Sequence, residues 1–146
     1  MKLETSQLLI RLSEQERSKI ETELAELNGR KHKLEEQALA STSQIKQLSK
    51  QRDQAMRNRH SAALLQAFDT ASREQQDTLQ QLKAGIVAVD QEKQGILDRL
   101  AEAQRTHYAY DNLHQKERRK KSRAADMKDQ RQMDDRVASR NSASTV

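Results

Sequence analysis

The chain has 146 residues, of which 34% are hydrophobic, 34% charged and 2% aromatic, with no proline and three glycines. That is too little apolar surface for a globular core, and the lack of cysteine excludes a disulfide framework and any thiolate metal or redox site. The net charge of +5 has a place: residues 1–55 carry ten basic and nine acidic side chains, residues 56–115 seven and eight, and residues 116–146 ten and five. The excess therefore belongs to the last segment, and the rest is nearly neutral.

At the N-terminus, MKLETSQLLIRLSEQE has too short an apolar run for a signal peptide, and no later stretch approaches 18 apolar residues. A soluble, cytoplasmic protein with no membrane insertion is expected. A heptad seam follows from the start. Leu3, Ile10, Arg17, Leu24, Lys31, Ala38, Ile45 and Arg52 share one position; Ser6, Ser13, Ile20, Leu27, Leu34, Ser41, Leu48 and Ala55 share the other. The seam is firm from Ile20 to Leu48 and ragged before, where Leu9 and Leu12 point to a local shift.

The stretch 56–64, MRNRHSAAL, interrupts the pattern, and the heptad phase changes by one residue across it. Asn58 tolerates a turn conformation, and Ser61 before AALL can cap a new helix. The spacing predicts helix 1 over about 3–56, a turn over about 57–61 and helix 2 over about 62–138. The alternative is one helix of about 130 residues that dimerises in parallel, with a skip residue at the phase change.

The second seam runs Leu65, Phe68, Ser72, Gln75, Leu79, Leu82, Ile86, Val89, Lys93, Ile96, Leu100, Ala103, His107, Tyr110, His114, with ten of fifteen positions apolar or aromatic. Folding the chain at residue 60 makes residues whose numbers sum to about 120 face each other. Leu34 then meets Ile86, Leu24 meets Ile96, Ile20 meets Leu100 and Ile10 meets Tyr110. Small residues meet large ones, Ser41 facing Leu79 and Leu48 facing Ser72, while Arg52 lies near Phe68. An interdigitated seam needs such alternation. The fold class is all-α: a long antiparallel two-helix coiled-coil hairpin, forming one domain over 1–140, with a disordered tail at 141–146.

Past His114 the apolar seam stops and KERRKKSR follows at 116–123, then AADMKDQRQMDDRVASR at 124–140. No glycine-rich phosphate loop is present. His107 and His114 are one heptad apart, about 10 Å, too far to share a metal, and read as seam residues. The chain is therefore not expected to be an enzyme or to hold a cofactor or metal. A basic block beside a coiled coil could serve a scaffold or a nucleic-acid-binding protein through 116–123. Against that, the block follows the seam instead of preceding it, Asp126, Asp129, Asp134 and Asp135 flank it, and no aromatic residues interleave.

The ending DQRQMDD at 129–135 resembles that of the FliJ family, coiled-coil components of the bacterial flagellar type III export apparatus. That family closes its second helix with a pattern close to D-Q-x-x-M-D-E. Asp129, Gln130, Met133 and Asp134 match it; Asp135 stands for the glutamate, and Arg136 for an aromatic residue. The spacing from Phe68 to Met133 is similar too. The resemblance implies a non-enzymatic stalk that binds the hexameric export ATPase, the export gate protein and substrate chaperones, peripheral to the inner membrane at the flagellar base. It implies ATPase contact through Asp126, Asp129, Gln130, Met133, Asp134, Asp135 and Arg136, with steering by Arg118, Arg119, Lys120, Lys121 and Arg123. The gate would face Gln37, Gln44, Leu48 and Phe68, where the family's tyrosines are missing from this chain.

Overall fold

The computed structural model describes residues 2–144. Two helices account for nearly all of them: α1, Leu3–Arg57, and α2, Ala62–Ser144. Among the described residues there is no strand. With no proline and a 3.5-residue apolar repeat, nothing local stops either helix before the turn. The helices contribute to two compact units, one of Lys19–Leu100 and one of the residues up to Ser18 together with those from Ala101 onward.

In the first unit α1 and α2 pair antiparallel across the turn. Its core is one side chain thick: Ile20, Leu27, Ala55 and Val89 are the buried apolar residues, with Ser41 buried beside them. Leu27, 1% exposed, is the deepest. Leu34 lies over the second helix so closely that a methyl group added at Gly85 would meet its Cδ1 at 3.5 Å. Seam positions are labelled a and d here, starting with Leu3 at a in α1 and Leu65 at a in α2. Glu23 and Arg99, both at g, pair at 2.7 Å, and Arg30 and Glu92, again both at g, at 3.2 Å. These partners sum to 122, so the fold at residue 60 has the expected register.

Of the four cations at seam positions, Arg17, Lys31, Arg52 and Lys93, two lean out to an acid just past the facing d residue. Lys31 Nζ lies 2.7 Å from Asp90 Oδ1, and Arg52 Nε 2.7 Å from Asp69 Oδ1. The Lys31 contact is a hydrogen bond, which raises the ammonium pKa above its ordinary value, with attraction to Asp90 and Glu35 adding to it against a desolvation cost. A raised lysine pKa stabilises the fold fully below the ordinary lysine value and is lost only as pH rises through the raised one. The pair is therefore intact at any neutral pH. At Arg52 the Nε–H is misaligned with its short contact and makes no hydrogen bond, so the pair is held by charge, while the guanidinium also donates to Met56 Sδ at 3.2 Å.

The turn is made without glycine. His60 N–H donates to Ala55 O at 3.0 Å and Arg59 N–H to Met56 O at 3.2 Å, the paired bonds of a Schellman ending. That ending needs a left-handed residue, and Arg59 supplies it with φ 56°. Asn58 lies in the turn as expected, its N–H still bonded to Gln54 O, and the left-handed residue is its neighbour Arg59. Ser61 caps α2, its Oγ accepting from Leu64 N–H at 3.4 Å.

In the second unit the seam turns polar. Ser6 Oγ is 2.8 Å from His114 Nδ1, and Ser13 Oγ is 3.0 Å from His107 Nδ1. Both pairs sum to 120, so this unit is antiparallel in the same register. Beyond Glu117 no α1 residue stands opposite, since α1 begins at Leu3. From Arg118 to Ala143 every side chain of α2 is exposed. The helix nevertheless continues through Asn141, Ser142, Ala143 and Ser144, where a loose tail was expected; Thr145 and Val146 lie outside the described residues. No proline or glycine stops it there, and Ser142 Oγ donates back to Ala138 O at 3.2 Å, an interaction helices tolerate.

Two outcomes follow for stability. Leu27→Ala should cost about 2–4 kcal/mol, because so thin a core cannot collapse around the gap; melting followed by circular dichroism checks it. Arg59→Gly should stabilise the fold by about 1 kcal/mol, since glycine enters the left-handed region without strain. Urea unfolding of the variant should show a raised midpoint with an unchanged slope.

Candidate docking helix

An α-helix turns about 100° per residue, so the exposed segment of α2 can be mapped from its sequence. Carrying the seam of α2 forward lands on Glu117, Lys121, Ala124, Lys128, Arg131, Asp135 and Ala138, a polar line unsuited to a further coiled-coil partner. Met133 points to the opposite side. Asp126, Asp129, Gln130, Arg136 and Val137 lie within about 60° of it, and Asp134 within about 100°. Six of the seven residues implied as ATPase contacts thus share one side of the helix, and Asp135 does not. Val137, which the helical spacing of the sequence already joins to Gln130, Met133 and Asp134, belongs to the same face.

The apolar atoms on this face are well presented: Met133 is 65% exposed and Val137 55%. Met133, Asp135, Arg136, Val137 and Arg140 line a concavity whose walls are side chains of one helix, so Asp135 borders it although it lies off the Met133 face. Such a surface encloses no small molecule and suits a macromolecular partner. The basic residues Arg118, Arg119, Lys120, Lys121 and Arg123 are exposed but encircle the helix, and Lys120 pairs with Glu117 at 3.7 Å. They form a collar of positive potential and no single stripe. Near the turn, in the other unit, Gln37 and Gln44 share the g edge and are exposed, while Leu48 and Phe68 are half-buried in the seam. The residues implied as gate-facing are therefore divided between edge and interior.

The serine–histidine pairs were not foreseen as contacts, although 6 with 114 and 13 with 107 both satisfy the sum of 120. They do not amount to a catalytic dyad. Each hydroxyl donates its proton to a backbone carbonyl, Ser6 to Leu3 O and Ser13 to Ile10 O, both at 2.8 Å. The imidazole must then donate from Nδ1 to the serine oxygen, the reverse of what general-base activation requires. Ser6 is also fully buried, with no approach for a substrate.

Against known families, the model described as Flagellar FliJ protein matches residues 5–145, spanning both helices, the turn and the exposed end of α2. The chain belongs to the FliJ family. No curated protein and no solved structure matches it. Family membership gives a role in flagellar protein export, in a family that is not catalytic. No helix among the described residues is long and apolar enough to cross a membrane.

Because α2 is exposed from Arg118 to Ala143, ending the protein after Ser122 should leave the melting temperature within about 3 °C of the parent. Circular dichroism should meanwhile lose the helical signal of the residues removed. A large drop in melting temperature would mean that the segment supports the fold.

Proposed function

We propose that the protein is a stalk and coupling component of the flagellar type III export apparatus, binding the hexameric export ATPase through the exposed end of α2. The observation that carries this is the overhang. From Arg118 to Ala143 more than 25 residues of helix, about 40 Å, extend past the start of α1 and are exposed to solvent. An isolated helix in water is marginal, so a long exposed one is best explained by a partner that covers it. Met133 acts as an adaptable apolar anchor, Gln130 and the neighbouring acids supply directional contacts, and the basic collar accelerates encounter with an acidic surface. Family membership supports the partner; the exposure supports the place.

In this reading the chain works as one helical domain in the cytoplasm, peripheral to the membrane at the flagellar base. The turn-proximal unit meets the export gate, with Gln37 and Gln44 as exposed contacts and Leu48 and Phe68 contributing their half-buried faces. Substrate chaperones are further partners.

Met133→Ala with Gln130→Ala should weaken ATPase binding by about 1–3 kcal/mol while helicity and melting temperature stay at parent values. Binding is read by pull-down and by stimulation of ATP turnover, and association should slow as salt rises. Equal binding of variant and parent would remove this site.

A further inference from the structure

The N-terminal part of α1 carries apolar side chains that its own seam does not use. In the heptad, Leu8 falls at f, Leu9 at g and Leu12 at c, so all three lie on or beyond the g edge. The register of this unit, set by Ser6–His114 and Ser13–His107, brings Leu113 of α2, also at g, to the same edge, with Ala109 at c behind it. Leu8 is 53%, Leu12 51% and Leu113 37% exposed, with Leu9 half-buried between them. In the other unit this g edge carries the ion pairs Glu23–Arg99 and Arg30–Glu92 and, nearer the turn, the exposed Gln37 and Gln44. Only in this unit does the g edge carry leucine on both helices. Single surface leucines need no explanation, but a contiguous strip across two helices does.

We infer that the Leu8–Leu9–Leu12–Leu113 strip is a second docking surface, whose occupant is an amphipathic helix with apolar anchors and acidic flanks. The charges bordering the strip choose that occupant. At the c, f and g positions of this unit as far as Lys120, and at Lys2 just before α1, the basic residues are Lys2, Arg105, Lys116, Arg119 and Lys120, against Glu16 and Glu102. The opposite b and e positions have the reverse balance, Glu4, Glu14 and Asp111 against Arg11 and Arg118. A leucine stripe with a basic rim accepts a helix that lays apolar residues at i, i+3, i+4 and i+7 along it and points carboxylates at the rim. A second copy of the chain is a poorer occupant, because it would bring the same basic rim against itself. The strip and the Met133 face lie at different levels of α2, so the two surfaces can be separated by mutation.

The test uses the full chain and displayed libraries of amphipathic helical peptides, about 18 residues long, with acidic, basic or uncharged flanks. Acidic-flanked peptides should be enriched. Measured by fluorescence anisotropy, their affinity should fall roughly tenfold for Leu8→Ser with Leu12→Ser and at least about threefold for Lys116→Glu. Neither change alters the seam, so circular dichroism should report parent helicity and melting. Met133→Ala with Gln130→Ala should bind these peptides as the parent does, whatever its effect on the ATPase. The inference is overturned if no peptide is enriched, if basic or uncharged flanks prevail, or if the leucine variant binds as well as the parent. A dimer of the parent by light scattering that the leucine variant loses would assign the strip to a second copy instead.

Discussion

A single stripe of contact between two helices is all that this sequence has to hold its fold. Each helix offers one apolar face, no third layer covers the other faces, and few side chains reach full burial. Stability therefore depends on register: shifting one helix by a residue would replace small-against-large layers with clashes and gaps along its length. Ser41 is buried at its seam position, and Leu34 packs against the second helix beside Gly85. The same constraint explains why the polar interruptions are orderly. Lys31 and Arg52 reach sideways to acids at the edge, so the charge leaves the seam while the aliphatic stem stays in it.

The serine–histidine layers solve the problem differently. Each chain of hydrogen bonds runs from imidazole to hydroxyl to backbone carbonyl, so no donor in the layer is left unmet. Their bonding is local and directional where an apolar layer would be merely sticky. A slip of one heptad would preserve at most one of the two pairs, which penalises the wrong alignment near the chain ends.

Helix count, the place of the reversal and the register were legible in the sequence because a 3.5-residue repeat survives in the order of residues whatever the surface does. The heptad phase change marked the break, and Ser61 announced the start of α2. Arg59 was not legible: its left-handed conformation is imposed by helix closure, and arginine has no propensity that signals it. The helical state of residues 141–144 escaped because serine and asparagine only weakly disfavour a helix already in progress. Docking residues are the least legible of all. An exposed side chain is constrained by a partner absent from the chain, so periodicity cannot distinguish Met133 from a solvated neighbour; only its resemblance to a family ending did so. Helical phase sets Asp135 apart from the rest.

Hairpin topology also gives the pairing an order in time. Arg52 and Asp69 are close in sequence, Arg30 and Glu92 are 62 residues apart, Ser13 and His107 94, and Ser6 and His114 108. The loop that each contact closes lengthens with distance from Arg59, so association is cheapest beside the turn and propagates outward like a zipper. Unzipping runs the other way. The layers nearest the chain ends close last and open first, which makes the neighbourhood of the exposed helix the most readily remodelled part of its own unit.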